Sequence, residues 1–170
     1  MSDMNITVES GNSIRLKTAG KYCAQDIVVT ATGGSEDNLG PIISGTIETL
    51  ESDVSSVRTY AAYKLASLKN VSLPEATVIS DYAFNSCENL TNANIPKVTT
   101  IGSYAFQSCE ALTSIDLPVL TKLNTYAFRE CASLTTANLP LVTAIPPYGF
   151  TNCTSLTSVN APNVESVGES

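Results

Sequence analysis

Tyr82, Tyr104, Tyr126 and Tyr148 stand 22 residues apart, and the chain around each spells the same motif. The motif runs Tyr-Ala-Phe (Tyr-Gly-Phe in the last copy), Cys three residues after the Phe, Leu three after the Cys, a short alternating segment, and Pro. In register stand Phe84, Phe106, Phe128 and Phe150; Cys87, Cys109, Cys131 and Cys153; Leu90, Leu112, Leu134 and Leu156; and Pro74, Pro96, Pro118, Pro140 and Pro162. A fixed period of this length is the signature of a solenoid, in which one unit cannot bury its apolar side alone and does so against its neighbours. The expected core is therefore a stripe along the molecule, built from columns of like residues.

The composition can fill such a stripe, with 43% apolar residues, 15% charged residues and neither Trp nor His. The net charge of −7 disfavours nucleic acid and anionic membrane as partners, because both repel an acidic surface. Met1 to Ser10 has neither a basic cluster nor an apolar run of signal-peptide length, and no segment approaches a spanning helix, so no membrane insertion is expected and the chain is read as made and folded in the cytoplasm. Four of the five cysteines recur with the spacing of the Phe and Leu beside them, which is the behaviour of small buried hydrophobes, and free thiols are expected. No Cys-x-x-Cys pair and no His accompany them, so neither a metal nor another cofactor is expected.

Met4 to Val8 and Ser13 to Lys17 alternate around the turn signal Ser10-Gly11-Asn12, and Asp26 to Thr32 is a third β-rich run. Residues 1–32 thus read as a small three-stranded β module, too small to stand alone and needing support from the solenoid or another protein. A polar, glycine-rich linker follows over 33–44. Residues 45–73 match the motif in a degraded form, with Ala62 in the place of Phe and Leu65 in the place of Cys, and read as an N-terminal capping coil, with a strand over Ile43 to Leu50 expected ahead of it. Residues 74–170 form the solenoid proper, with an incomplete last coil.

Within one unit the period changes. Leu112 to Leu117 ends in alternation and is stopped by Pro118, which lacks the donor a ladder needs; this is a short strand. Val98 and Ile101, like Leu120 and Leu123, point inward on the turn that follows. Ala105, Phe106, Cys109 and Leu112 then fall at helical spacing, so Tyr-Ala-Phe-x-x-Cys is expected to form one or two turns of helix or 3₁₀. The fold class expected is an α/β solenoid of about five 22-residue coils, each a short strand, a turn and a short helix. Stacking also predicts a column of hydroxyls from Thr77, Thr99, Thr121 and Thr143, placed to satisfy turn backbone groups.

Units such as Leu112-Thr-Ser-Ile-Asp-Leu-Pro118, Leu120-Thr-Lys-Leu123 and Tyr126-Ala-Phe-Arg-Glu-Cys131 resemble the BspA-type leucine-rich repeat over Val54 to Val167. That resemblance implies a right-handed solenoid with a sheet along one side, used to bind proteins or cell surfaces without chemistry. Its departures are Ala62 and Leu65 in the first coil and Pro146-Pro147 and Gly149 in the last. The stretch from Ser13 to Thr30, and the lead-in Gly45-Thr-Ile-Glu-Thr-Leu, resemble the front of structural proteins in phages and prophages of Gram-positive bacteria. The resemblances imply a virion protein made in the host cytoplasm and placed on tail or capsid, its partners being other virion proteins or a host cell-surface protein or glycan; the alternatives are a BspA-type adhesin on the bacterial cell surface and a purely architectural decoration protein.

Alternation places Asn70, Ser72, Asn92, Asn94, Ser114, Asp116, Thr136, Asn138, Ser158 and Asn160 on the outer face of the strands. They are small and polar, offering hydrogen bonds but no aromatic anchor of a tight protein hot spot, which suits glycan or a weak multivalent contact; the competing reading is a solvated sheet face. The second candidate is an aromatic strip of Tyr82, Tyr104, Tyr126 and Tyr148, continued by Tyr60, whose competing reading is rings packed on one another. With no His, no phosphate-binding glycine loop, no Gly-x-Ser-x-Gly elbow and scattered acids, no catalytic residue is expected. Val159, Val164 and Val167 are apolar coil positions with no polar cap after them, so this end is expected to be covered by another subunit, making the chain oligomeric or assembly-bound, or else to have been cut short.

Overall fold

The computed structural model describes residues 7–9, 13–16, 48–52 and 55–169. These residues form short strands only: β1 (Thr7–Glu9), β2 (Ser13–Leu16), β3 (Thr49–Ser52), β4 (Ser56–Val57), β5 (Asn70–Ser72), β6 (Val78–Ile79), β7 (Asn92–Asn94), β8 (Thr100–Ile101), β9 (Ser114–Asp116), β10 (Lys122–Leu123), β11 (Thr136–Asn138), β12 (Ala144–Ile145), β13 (Ser158–Asn160) and β14 (Ser166–Val167). From β3 onward the odd strands stack in one parallel column and the even strands in a second. Equal positions of successive coils are paired, as Asn70 with Asn92 and Thr136 with Ser158.

Sequence explains both strands of a coil. The first is the alternating triplet before Leu-Pro or Ile-Pro; its central residue, Val71, Ala93, Ile115 or Ala137, is buried, and so is the Leu73, Ile95, Leu117 or Leu139 that follows. Proline then ends the ladder. The second strand is held by an N–H just after it: Ser80 donates to the Val57 carbonyl at 2.9 Å, Gly102 to Ile79 at 2.8 Å and Asn124 to Ile101 at 3.1 Å. Pro146 occupies this place in the next coil and has no N–H to give, which accounts for the interruption of the second column between β10 and β12. Gly102 serves close approach, since a Cβ there would stand 2.5 Å from the Asp81 nitrogen.

β1 and β2 form an antiparallel hairpin, and β2 pairs in parallel with β3, which joins the hairpin to the edge of the first column. The expected third strand Asp26 to Thr32, the linker 33–44, Val54 and Cys23 lie outside the described residues.

The expected helix of the Tyr-Ala-Phe segment does not form; among the described residues there is none. The reason lies in where alternate N–H groups point. Tyr82, Phe84 and Ser86 donate to Ser103, Ala105 and Gln107 of the next coil, at 3.0, 2.8 and 2.8 Å. The residues between them, Ala83, Asn85 and Cys87, donate locally to Ser80, Tyr82 and Phe84. Half the donors are thus spent on the neighbouring coil, and the remainder close turns of three residues, tighter than an α-helix. Left-handed backbone accompanies this, with φ of 57° at Tyr82 and 58° at Ser86, and the same pair of positions left-handed in every coil from Tyr60 to Asn152.

The core is the expected stripe. Phe84, Phe106 and Phe128 are fully buried, and the rings from Phe84 to Phe150 stack at 5.2, 5.4 and 5.4 Å between centroids. Ala62 and Leu65 of the first coil are buried in the same columns. Cys87, Cys109 and Cys131 are free and buried, and Cys153 is free and half-buried. Each thiol donates to a carbonyl of the preceding coil, Cys87 to Ala62 at 3.1 Å, Cys109 to Phe84 at 3.2 Å, Cys131 to Phe106 at 3.2 Å and Cys153 to Phe128 at 3.0 Å. Cysteine suits this place because it is small and apolar yet carries one weak donor, which adds a second bond to a carbonyl that already accepts the N–H three residues on.

Candidate functional site

The alternation of the odd strands puts the polar pair of each triplet on the outside. Asn92, Asn94, Ser114, Asp116, Thr136, Ser158 and Asn160 are exposed, and Asn70, Ser72 and Asn138 are half-buried. Coil stacking gathers them into two columns that flank the buried central residues. One column is cross-linked: the Asn94 amide donates to the Ser72 hydroxyl at 3.3 Å, Asn138 to the Asp116 carboxylate at 2.6 Å, and Asn160 to the Asn138 amide oxygen at 2.6 Å. Side chains bound to each other have already lost rotamer freedom, so a ligand that meets them orders little.

The aromatic strip is present as a stack. Tyr60, Tyr82, Tyr104, Tyr126 and Tyr148 lie 4.9, 4.7, 4.7 and 4.9 Å apart between centroids, with interplanar angles falling from 18° to 2°. Ring faces are consumed by neighbouring rings, so the strip offers edges and hydroxyls; only Tyr148, at 40% exposure, ends the stack. Burial, followed by the phenols of Tyr104 and Tyr60, pushes the Tyr82 hydroxyl above its ordinary pKa.

A polar row beside the strip was not singled out by sequence. Asn85 donates to Gln107 at 3.2 Å, Gln107 to Glu130 at 3.3 Å, and the Ser108 hydroxyl to the same carboxylate at 2.9 Å. The Ser108 and Gln107 bonds hold the Glu130 carboxyl below its usual pKa. The sequence carries its signal: Asn85 and Gln107 stand three residues after their Tyr, and Ser108 and Glu130 four.

The hydroxyl column is real over three of its four members. Thr77, Thr99 and Thr121 donate to Ser55, Thr77 and Thr99 carbonyls at 3.0, 3.1 and 3.2 Å; Thr143 makes no such bond, and it lies where β10 and β12 are unpaired. Burial pushes the Cys87 thiol up to about 12 and the Cys109 thiol well above the ordinary value. Interaction between the neighbouring Cys131 and Cys153 thiols raises Cys131, which burial pushes the same way, and lowers Cys153. Among the described residues no group of three or more His, Cys, Asp or Glu gathers around a common point, and no helix is long and apolar enough to cross a membrane.

Six copies of the model for the BspA type leucine rich repeat region match residues 77–170. The chain belongs to the BspA-type leucine-rich repeat family. No curated protein matches it in sequence. Among solved structures, the leucine-rich repeat protein of T. pallidum is similar over 97% of this chain and 83% of its own, at 22% identity and a TM-score of 0.70. A leucine rich cell surface protein of Faecalibacterium prausnitzii is similar over 96% of this chain and 42% of its own, at 24% identity and a TM-score of 0.53. A leucine-rich repeat protein of Bacteroides ovatus is similar over 96% and 53%, at 18% identity and a TM-score of 0.56. At these identities the likeness is one of fold.

Proposed function

We propose that this BspA-type protein is a non-enzymatic binding protein of a phage particle, on the tail or capsid surface. In this reading the N-terminal β module anchors it, and the solenoid projects its strand face toward a host-surface glycan or protein or a neighbouring virion protein. The observation that carries the binding role is the strand face itself, a regular array of exposed polar side chains held in place by one another. The setting in a particle is supported by the resemblance of Ser13 to Thr30 and of the lead-in Gly45-Thr-Ile-Glu-Thr-Leu to phage structural proteins. A second reading, adhesion from a bacterial cell surface, is favoured by the F. prausnitzii neighbour, which is described as a cell surface protein.

Two measurements test this. Immunodetection in purified particles is expected to be positive; detection on intact, phage-free cells and absence from particles would replace the virion setting by the adhesin. Asn92→Tyr with Thr136→Tyr places bulk on the exposed face without touching the core, and attachment to host cells is expected to be lost with the unfolding midpoint unchanged. Undiminished attachment would remove the strand face from the binding role.

A further inference from the structure

Each coil of a solenoid uses the next one twice, to cover its apolar side and to take its N–H groups. The second use can be followed residue by residue. Phe84, Phe106 and Phe128 donate to Ala105, Ala127 and Gly149 at 2.8, 2.8 and 2.9 Å, and Ser86, Ser108 and Glu130 donate to Gln107, Arg129 and Thr151 at 2.8 Å each. Leu117 and Leu139 donate to Asn138 and Asn160 at 3.0 and 2.8 Å. Their counterparts in the last coil, Phe150, Asn152 and Ala161, meet no acceptor. The carbonyls of Thr157 and Val167 meet no donor, although their counterparts Thr135 and Ile145 accept from Thr157 and Gly168 at 3.0 and 2.8 Å.

β13 and β14 are the outermost strands on this side, and neither carries the Lys or Pro that blunts an exposed strand edge. No charged residue lines the apolar basin that Phe150, Val159 and Val164 form here; Glu165 and Glu169 are exposed outside it. A chain of net charge −7 can therefore meet itself at this end without setting like charges inside the contact.

The opposite end of the molecule does not complement this one. There the hairpin of β1 and β2 lengthens the first column, while the second column begins at β4 among the described residues. A copy added head to tail would bring β1 to β13 and leave β14 and the segment Tyr148 to Cys153 without cover. The last coil does complement itself. Around each coil the sides follow in the order odd strand, even strand, Tyr-Phe segment, so the chain climbs as a helical ramp whose last described turn is Tyr148 to Cys153, β13 and β14. A helical path of either hand is carried onto itself by a two-fold axis perpendicular to it. Two ramps joined at this end by such an axis continue one another, with the chain direction reversed at the join.

We infer that the open end of the last coil binds a second copy of this chain, in a two-fold dimer that pairs β13 with β13 and makes one sheet of the two strand faces. The pairing is antiparallel, with Val159 opposite Val159 and Ser158 opposite Asn160, and it gives an unpaired edge both donors and acceptors. β14 of each copy lies over the Tyr148 to Cys153 segment of the other, which sets Val167, 72% exposed in the single chain, against the open Phe150 ring. The doubled face presents its polar array twice, as a weak multivalent contact requires; the dimer itself does not depend on what that face binds.

The test is the molar mass of the full chain, by light scattering and sedimentation from about 1 to 100 μM, a range that spans the affinities of ordinary specific interfaces. A dimer and no larger species is expected, with hydrogen exchange at the Phe150 and Ala161 amides slowing as it forms. Val159→Lys and Val167→Lys each place a charge in the contact and are expected to weaken association at least about a hundredfold. Circular dichroism at concentrations where the parent chain is monomeric checks their folding, and Val167→Lys decides alone if Val159→Lys does not fold. A monomer throughout, a dimer that Val167→Lys leaves intact, or protection outside the last coil overturns the inference. An open-ended series of larger species overturns it in favour of head-to-tail stacking through β1.

Discussion

Phe106 and Phe150 hold the same place in the motif two coils apart, yet Phe106 is fully buried and Phe150 only half-buried. The contrast runs through the whole coil. Ile115 is 3% exposed and Val159, its counterpart in β13, 40%; Cys109 is sealed and Cys153 half-open. In the last coil Ile145, Phe150, Val159, Val164 and Val167 line an apolar basin of about 810 Å³. Identical side chains thus acquire different environments, because in a solenoid burial is conferred by the coil on each side rather than by the residue's own unit. Each middle ring is covered on both faces; the last is covered on one.

The largest test of that contrast is truncation of the two rings. Phe106→Ala is expected to cost about 3–5 kcal/mol, and Phe150→Ala less than half as much, measured as the shift in urea midpoint at constant slope. Equal losses would show that coverage by neighbours does not set the energy.

The thiols sharpen the comparison through pH. Cys87 and Cys109 titrate far above their unfolded values in the folded chain, so the unfolded state releases their protons first. Their contribution is complete below about pH 9 and is lost at higher pH, for Cys87 as the pH rises toward its folded value of about 12. The expected slope in that window is about 1.4 kcal/mol per pH unit for each such thiol. Cys87→Ala should flatten the fall seen by denaturant titration at alkaline pH, and Cys153→Ala should leave it in place.

The smallest effect concerns the left-handed positions. Lys64, with φ of 60°, and Asn152, with φ of 61°, are equivalent, but asparagine tolerates that region and lysine does not. Lys64→Gly is expected to raise stability by up to about 1 kcal/mol, reduced by the loss of its ammonium over the Tyr63 ring. Asn152→Gly should change it by a few tenths at most. A thermal midpoint higher for the second than for the first would contradict this ordering.

Much of the architecture was legible because period and hydrophobicity are properties of the string of residues. The Phe, Cys and Leu columns, the strand before each Pro and the polar outward pairs follow from spacing. The helix was misread because Ala105, Phe106, Cys109 and Leu112 meet a helical pattern whichever way the backbone turns. The N–H groups of Tyr104, Phe106 and Ser108 were claimed instead by the next coil, a competitor that a single-unit reading does not contain. Thr143 falls in the hydroxyl column by position, but Pro146 a few residues on has no N–H to pair that coil with the one before it. Of the candidate site, the members were readable and their partners were not. That Asn138 would lock to Asp116, and Asn160 to Asn138, depends on which way each amide turns between coils.

Sequence by itself determined the period, the identity of the stacked columns and the inward or outward sense of each strand residue, since these follow from spacing and polarity alone. Tertiary structure decided the left-handed turns in place of helix, the loss of solvent from the middle coils but not the last, and the breaks between β7 and β9 and between β10 and β12. The physical reason is common to all three: each depends on hydrogen bonds or contacts between coils, so the outcome at one residue is fixed by what stands one repeat away.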